Sequence, residues 1–369
     1  MVSDKKMQRV ARNMVRVNFG VKPKDVVSIA AGPKSLKFAE ALAYECSMVG
    51  AQPHISYGSD ELSLRIYNRI NPRFLKFWPK HAASDLKVVD VEMVLDDSNP
   101  FVARKMPQRK IEIRRKAIKK FREMKDRKLF RKELRSALIG FPTEEDARAM
   151  CVPFTKLDRI FWDTLDVDFH KLHAFNERMR RLMRGTKTIR IVGDRTDLTM
   201  SVKGREFIND CGIVAKEKIG YMNLPAGEIF IAPVETAADG EIYFDLPCMY
   251  HYGKQVEGVW FKMRKGKVVE YRIKKGLKDF EDIIKNASGE KKTIAELGIG
   301  TNPHAKPTGG MIIVDEKLLG TIHMAIGQNK LYGGRNEATI HWDFFKTMGR
   351  GSRVYADGRV VMKDGKWLL

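Results

Sequence analysis

From Thr186 onward the chain is written in short runs of alternating apolar and polar residues, and this period constrains the fold more than any other feature. "TKTIRIVGD", "TDLTMSVKG", "EIFIAPV", "GEIYFDLP", "TIHMAIG" and "ATIHWDFF" are each too short for a helix, and Gly, Asn and Asp separate them. Residues two apart on a strand share a face, so such runs predict half-buried strands joined by turns. "MRKGKVVEY" and "YADGRVVMKDGKW" place Gly at hairpin turns. One helix, over about 278–288, interrupts this β-rich stretch.

The first half has a different texture. "DVVSIAA" is a buried-strand run. Ser35 then stands where a cap would start a helix with Leu36, Ala39, Leu42, Ala43 and Cys46 on one face. Gly50 ends that helix and "AQPHISYG" returns as a strand. This is one βαβ unit, which implies parallel pairing. "LKVVDVEMVLDD", 86–97, reads as a later strand of the same sheet. "FPTEEDARAM" opens a helical stretch running to about Arg184, with Thr143 as its cap and Asp146 three residues on. The expected class is therefore α/β: a layered N-terminal domain with parallel strands, 1–185, and a β-rich α+β domain, 186–369, carrying the functional residues.

A chain of 369 residues is long for one domain, and 43% hydrophobic residues suffice for real cores. No apolar run approaches the roughly 20 residues a membrane span requires. The charged N-terminus does not read as a secretory signal. Cys46, Cys151, Cys211 and Cys248 form no CxxC and read as reduced, buried thiols, which points to the cytoplasm. Net charge is +22, and Arg104–Arg135 holds sixteen Lys or Arg against four acids. A nucleic-acid surface is one reading. A solvated helix with Ile111, Ile118, Phe121 and Met124 as its apolar stripe is the other, and the absence of any nucleic-acid module favours it.

The chain has no GxSxG, HExxH or P-loop, and "AAGPKS" lacks the GxGxxG spacing. What remains is charge in apolar strands: Glu235 after "FIAPV", Glu296 in "TIAELGIG", His323 in "GTIHMAIG", and His341 with Asp343 in "TIHWDFF". His341 and Asp343 share a face, and His323 has the small neighbours Thr321 and Ala325 on its own. Burying unpaired charge costs several kcal/mol, so such groups must be solvated or neutralised together. Three carboxylates and two neutral imidazoles match two divalent ions and one hydroxide, and O and N donors without thiolate suit Zn, Co or Mn.

Several blocks together carry a resemblance: "IVGDRTDLTMSVKGREFINDCG", "NLPAGEIFIAPVETAADGEIYFD", "AELGIGTNP", "GTIHMAIG", "NEATIHWDFF" and "VYADGRVVMKDGKWLL", with "DDSNPF" and "GFPTEEDARAM" upstream. In this order they resemble the thermophilic metalloaminopeptidase family, of the aminopeptidase T type. The resemblance implies removal of N-terminal amino acids from peptides with a free N-terminus, through a water bridging two divalent metal ions. It also implies a homodimer. Carried onto this chain, it makes Glu235, Glu296, His323, His341 and Asp343 metal ligands, with Glu296 the bridge and proton acceptor, and places Glu316 of "VDEK" close by. Family members have a tyrosine seven residues after the first histidine; here that position is Lys330, and Tyr332 is the replacement expected to donate to the oxyanion. A non-enzymatic protein binding RNA through 104–135, or a metal hydrolase of another amide or ester, are the alternatives.

Overall fold

The computed structural model describes residues 2–250 and 254–369. The chain divides into two compact units: Met1–Arg148 with Pro153–Leu165 and Gly212–Pro225, and Ala149–Val152 with Asp166–Cys211 and Ala226–Leu369.

The first unit is built on a five-stranded parallel sheet, ordered Gln52–Tyr57, Val26–Ala31, Val91–Asp96, Arg135–Gly140 and Tyr221–Leu224. Parallel neighbours need crossovers, and Leu36–Met48 supplies the first, burying Phe38, Ala39, Leu42 and Cys46. Ser35 does not cap it. Instead Asp97 accepts from the backbone N–H of Lys34 and Ser35 at 2.8 and 2.9 Å, and from the Ser35 hydroxyl at 3.1 Å.

The run expected as a strand over 86–97 is split. Its first residues finish the helix Lys80–Val88, and the strand begins at Val91. Leu86 and Val89 instead pack with Leu129 and Leu134, against Phe121 and Met124. That small core also divides the basic stretch. The single helix expected over 104–135 is two, Gln108–Ala117 and Lys119–Phe130, broken at Ile118 before the chain enters the strand at Arg135. Cys151, expected to be buried, is exposed; Cys46, Cys211 and Cys248 are buried.

The second unit has two antiparallel sheets. The larger runs Cys248–Tyr250, Lys254–Arg264, Ala238–Phe244, Thr196–Ser201, Thr188–Gly193, Arg353–Ala356, Arg359–Lys363 and Lys366–Trp367, with Lys267–Lys275 also pairing to Lys254–Arg264. The smaller has five strands. Ile191, Leu198, Ile242 and Phe261 of the larger sheet share one core with Ile229, Leu297, Met324 and Phe344 of the smaller. The helix Phe169–Leu182 belongs here too. Met179 joins that core, and the Asn176 amide donates to Asn209 Oδ1 at 2.9 Å and to the Glu228 carbonyl at 3.0 Å. Residue 186, the boundary expected from the change in texture, therefore lies inside this unit. No helix among the described residues is long and apolar enough to cross a membrane.

Thr143 and Asp146 form a reciprocal capping box ahead of the helix Glu144–Ala149. The Asp146 N–H donates to Thr143 Oγ1 at 3.0 Å, and the Thr143 N–H and hydroxyl donate to Asp146 Oδ2 at 3.0 and 2.7 Å. Thr143→Ala should lower stability by about 1 kcal/mol, read as a lower urea midpoint at unchanged slope. No shift would mean the box contributes nothing to folding.

Candidate metal centre

The smaller sheet orders its strands as the chain does: Ile208–Asp210, Glu228–Ile231, Ile294–Gly300, Thr321–Gly327 and His341–Thr347, each antiparallel to the next. The register stacks chemistry in rows. Glu296 lies opposite Ala325, and Ala325 opposite Asp343. Gly298 lies opposite His323, Gly300 opposite Glu228, and Glu228 opposite Asp210. Cross-strand partners share a face, so acids and imidazoles gather on one side with Gly and Ala between them. The other side carries Ile229, Ile231, Leu297, Ile299, Ile322, Met324, Trp342 and Phe344 into the core.

On the polar face His323 Nε2 lies 3.0 Å from Glu228 Oε2 and 3.4 Å from Glu296 Oε1. His341 Nε2 lies 3.5 Å from Glu296 Oε2 and 3.6 Å from Asp343 Oδ2. Glu296 thus turns one oxygen to each imidazole. Two sets of donor atoms are close enough to hold an ion, Glu228–Glu296–His323 and Glu316–His323–Asp343, within 4.8 Å in each set. The His341 ring is oriented from behind, Nδ1 donating to the Gln328 carbonyl at 2.7 Å. A carbonyl only accepts, so this bond fixes the proton on Nδ1 and leaves Nε2 as a donor for a cation. The Asp343 strand is held by Cys248, whose thiol donates to the Asp343 carbonyl and accepts from the Trp342 indole.

His323 lies directly over Gly298, where a Cβ would stand 1.9 Å from Nε2. The space beside the ring comes from the neighbouring strand more than from Thr321 and Ala325 on its own.

Charge is out of balance here. Asp210, Glu228, Glu296, Glu316 and Asp343 are all buried, and Lys317 is the ammonium among them. Its Nζ, fully shielded from solvent, lies 2.9 Å from Asp210 Oδ2, 2.5 Å from Glu228 Oε1 and 2.9 Å from Glu316 Oε1. In the metal-ligating state, with every carboxylate ionised and both imidazoles neutral, five carboxylates against one ammonium leave four negative charges, which two divalent cations would neutralise. Burial pushes the Glu316 carboxyl up to about 8 and that of Asp210 to about 6, despite Lys317. Glu228 moves the other way: against burial, Lys317 and His323 bring it down to about 2. Burial also works against a charged His341, yet Asp343 and Glu296 outweigh it and raise that imidazole to about 10.

Among the described residues, Glu228 Oε2, Asp343 Oδ1 and both ring nitrogens of His323 are buried without a hydrogen-bond partner. Buried polar atoms are rarely left so. With Asp210 Oδ1 there are five in one cluster, all oxygen or imidazole nitrogen, and they fit divalent cations of the zinc, cobalt or manganese kind.

The structure thus brings together Glu296, Glu316, His323, His341 and Asp343. Glu235 stands apart. Its Oε2 accepts from Arg205 at 2.7 Å, and its Oε1 accepts from the Asn329 amide at 3.1 Å and the Arg335 N–H at 2.6 Å. Arg205 also donates to the Gly333 carbonyl. Glu235 therefore latches the 329–335 loop. That loop carries Tyr332, whose ring lies 5.4 Å from the His341 ring and 5.3 Å from that of Phe230. Lys330 is exposed and pairs with Glu337. The acid beside His323 is Glu228, at the head of "EIFIAPV". Its alternation with the core-facing Ile229 and Ile231 was the signal that could have singled it out. Lys317, adjacent to Glu316, and Asp210 carried no such signal.

A description of the thermophilic metalloprotease (M29) family matches residues 3–367. The chain belongs to this family. Aminopeptidase T of Thermus aquaticus is 24% identical over 262 residues, 62% of this chain and 61% of that protein, so the match spans about three fifths of the relative's length. Wild-type AmpT from Thermus thermophilus shares the fold at a TM-score of 0.76 and 19% identity, over 99% of each chain. The 2,5-dihydroxypyridine dioxygenase of Pseudomonas putida KT2440 does so at 0.64 and 14%, over 100% of this chain and 98% of that one. At such identities the likeness to solved structures speaks to fold alone. Membership of the M29 family bears out the resemblance read from the sequence blocks, and the mixed α/β fold is the one expected.

Two substitutions test this geometry. Gly298→Ala should displace the His323 ring and weaken cobalt binding by about 10–100-fold, while far-ultraviolet circular dichroism stays native. Unchanged affinity would show that the ring can give way. Glu235→Gln should leave metal content intact but raise protease cleavage within 329–335; loss of the metal instead would return Glu235 to the ligand set.

Proposed function

We propose that this protein is a metal-dependent aminopeptidase with a dinuclear site. The carrying observation is the cluster of orphaned buried donor atoms on one sheet face, in a chain of the thermophilic metalloprotease family. Glu228, Glu296, Glu316, His323, His341 and Asp343 would hold the ions. Bound there, divalent ions lower the pKa of water and polarise a carbonyl for hydrolysis.

The chain supplies the remaining functions. Glu296, with an oxygen toward each imidazole, is the acid placed to take a proton from the attacking water. Tyr332, packed on His341, is the phenol placed to donate to the developing oxyanion. A carboxylate of the site would meet the free amine of a peptide N-terminus.

The fold does not choose between peptidase and oxygenase, since one structural relative is titled a dioxygenase. The donor set does. Mononuclear oxygenase sites use two histidines and one carboxylate around one iron, whereas four carboxylates surround the two histidines here.

Protein dialysed against chelator and reloaded with cobalt or zinc should bind two equivalents and release p-nitroaniline from leucine p-nitroanilide, but not from its N-acetyl derivative. Tyr332→Phe should lower kcat by about 10²-fold, and Glu296→Gln should abolish turnover with the fold retained. No turnover on any aminoacyl substrate, or equal turnover of blocked and free ones, would overturn the aminopeptidase reading.

A further inference from the structure

A lysine with no solvent contact at all is unusual, and Lys317 meets three carboxylates, donating hydrogen bonds to Asp210 and Glu228 and forming an ion pair with Glu316. The detail that matters is which oxygens it takes. It holds Glu228 by Oε1 and Glu316 by Oε1, while Glu228 Oε2 is turned to His323 with no hydrogen-bond partner. A carboxylate can bind a metal through one oxygen or both. One whose second oxygen is committed to an ammonium has only the first to offer.

Lys317 is itself firmly placed. Its N–H donates to the Val314 carbonyl, and its own carbonyl accepts from Asn302. Asp210 anchors it from the next strand, paired in register with Glu228. Neither Asp210 nor Lys317 is in either set of donor atoms able to hold an ion.

We propose that Lys317, anchored by Asp210, is a positioning residue that restricts Glu228 and Glu316 to one ligating oxygen each and so sets the coordination number of the metal centre. The inference rests on the cluster being a metal site. It goes beyond the aminopeptidase reading, because it assigns the geometry of the centre to a residue that touches neither ion nor substrate. The ammonium also gives the carboxylates a permanent counter-charge, which lets the metal-free chain bring them together. Ion binding then fills a prepared site.

The test compares the wild type with Lys317→Met and with the charge-neutral pair Asp210→Asn/Lys317→Met. The pair keeps the net charge of the wild type, and far-ultraviolet circular dichroism checks that each variant is folded before it is titrated. Each is titrated with cobalt(II) after metal removal, and visible absorption reports affinity, stoichiometry and coordination number. The expected result for the pair is two equivalents bound about 10–100-fold more weakly, with a less intense d–d band as freed carboxylate oxygens raise the coordination number. Lys317→Arg should restore part of the affinity but not the spectrum, because a planar guanidinium cannot reproduce a point ammonium. A pair that matches the wild type in affinity and spectrum overturns the assignment of Lys317 alone. A wild type that takes up no cobalt overturns the metal reading, and this inference with it.

Discussion

Too much negative charge in too little solvent is the constraint on which the second unit depends. Five buried carboxylates, four of them on one sheet face, stand with one buried ammonium. Nothing in a protein interior tolerates that without compensation. The sheet answers by making its two faces unlike. One is packed with Ile, Leu, Met and aromatic side chains, and the other leaves room through Gly298, Gly300, Ala325 and Gly327. Because every strand pairs with its neighbour in chain order, residues far apart in sequence meet at fixed register.

Around that centre the supporting bonds fall on backbone or on neutral groups. The Gln328 carbonyl fixes His341, Cys248 ties the Asp343 strand, and Asn176 ties the Glu228 strand to the helix Phe169–Leu182. Such bonds orient ligands without adding charge. Glu235 is neutralised by Arg205, from the turn that precedes the strand Ile208–Asp210. An acid satisfied by a guanidinium and two further N–H donors has little left for a metal ion.

What could be read in advance, and what could not, follows from the range of each interaction. The period of two placed His323, His341 and Asp343 correctly on strands, because alternation is local. The Thr143–Asp146 capping box was legible for the same reason. Glu235 was expected among the ligands, yet Glu228, at the other end of "IFIAPV", is the acid beside His323: Glu228 is on a strand of the sheet, and Glu235 is in the turn after it. The basic stretch was read as one helix, although the core of Leu86, Val89, Leu129 and Leu134 requires a break at Ile118. The strand Tyr221–Leu224 joins the parallel sheet of the first unit from beyond the expected boundary, a pairing no local pattern encodes.

By itself, then, the sequence determined the two textures, the strands of the second unit and the kinds of donor they carry, since hydrophobic period and residue chemistry are properties of short segments. Tertiary structure alone decided that Glu228 rather than Glu235 lies beside His323, that Gly298 makes room for an imidazole, and that Lys317 sits among three carboxylates. Each of these depends on which strand lies beside which and in what register. That is settled by burying one face of the sheet against a common core.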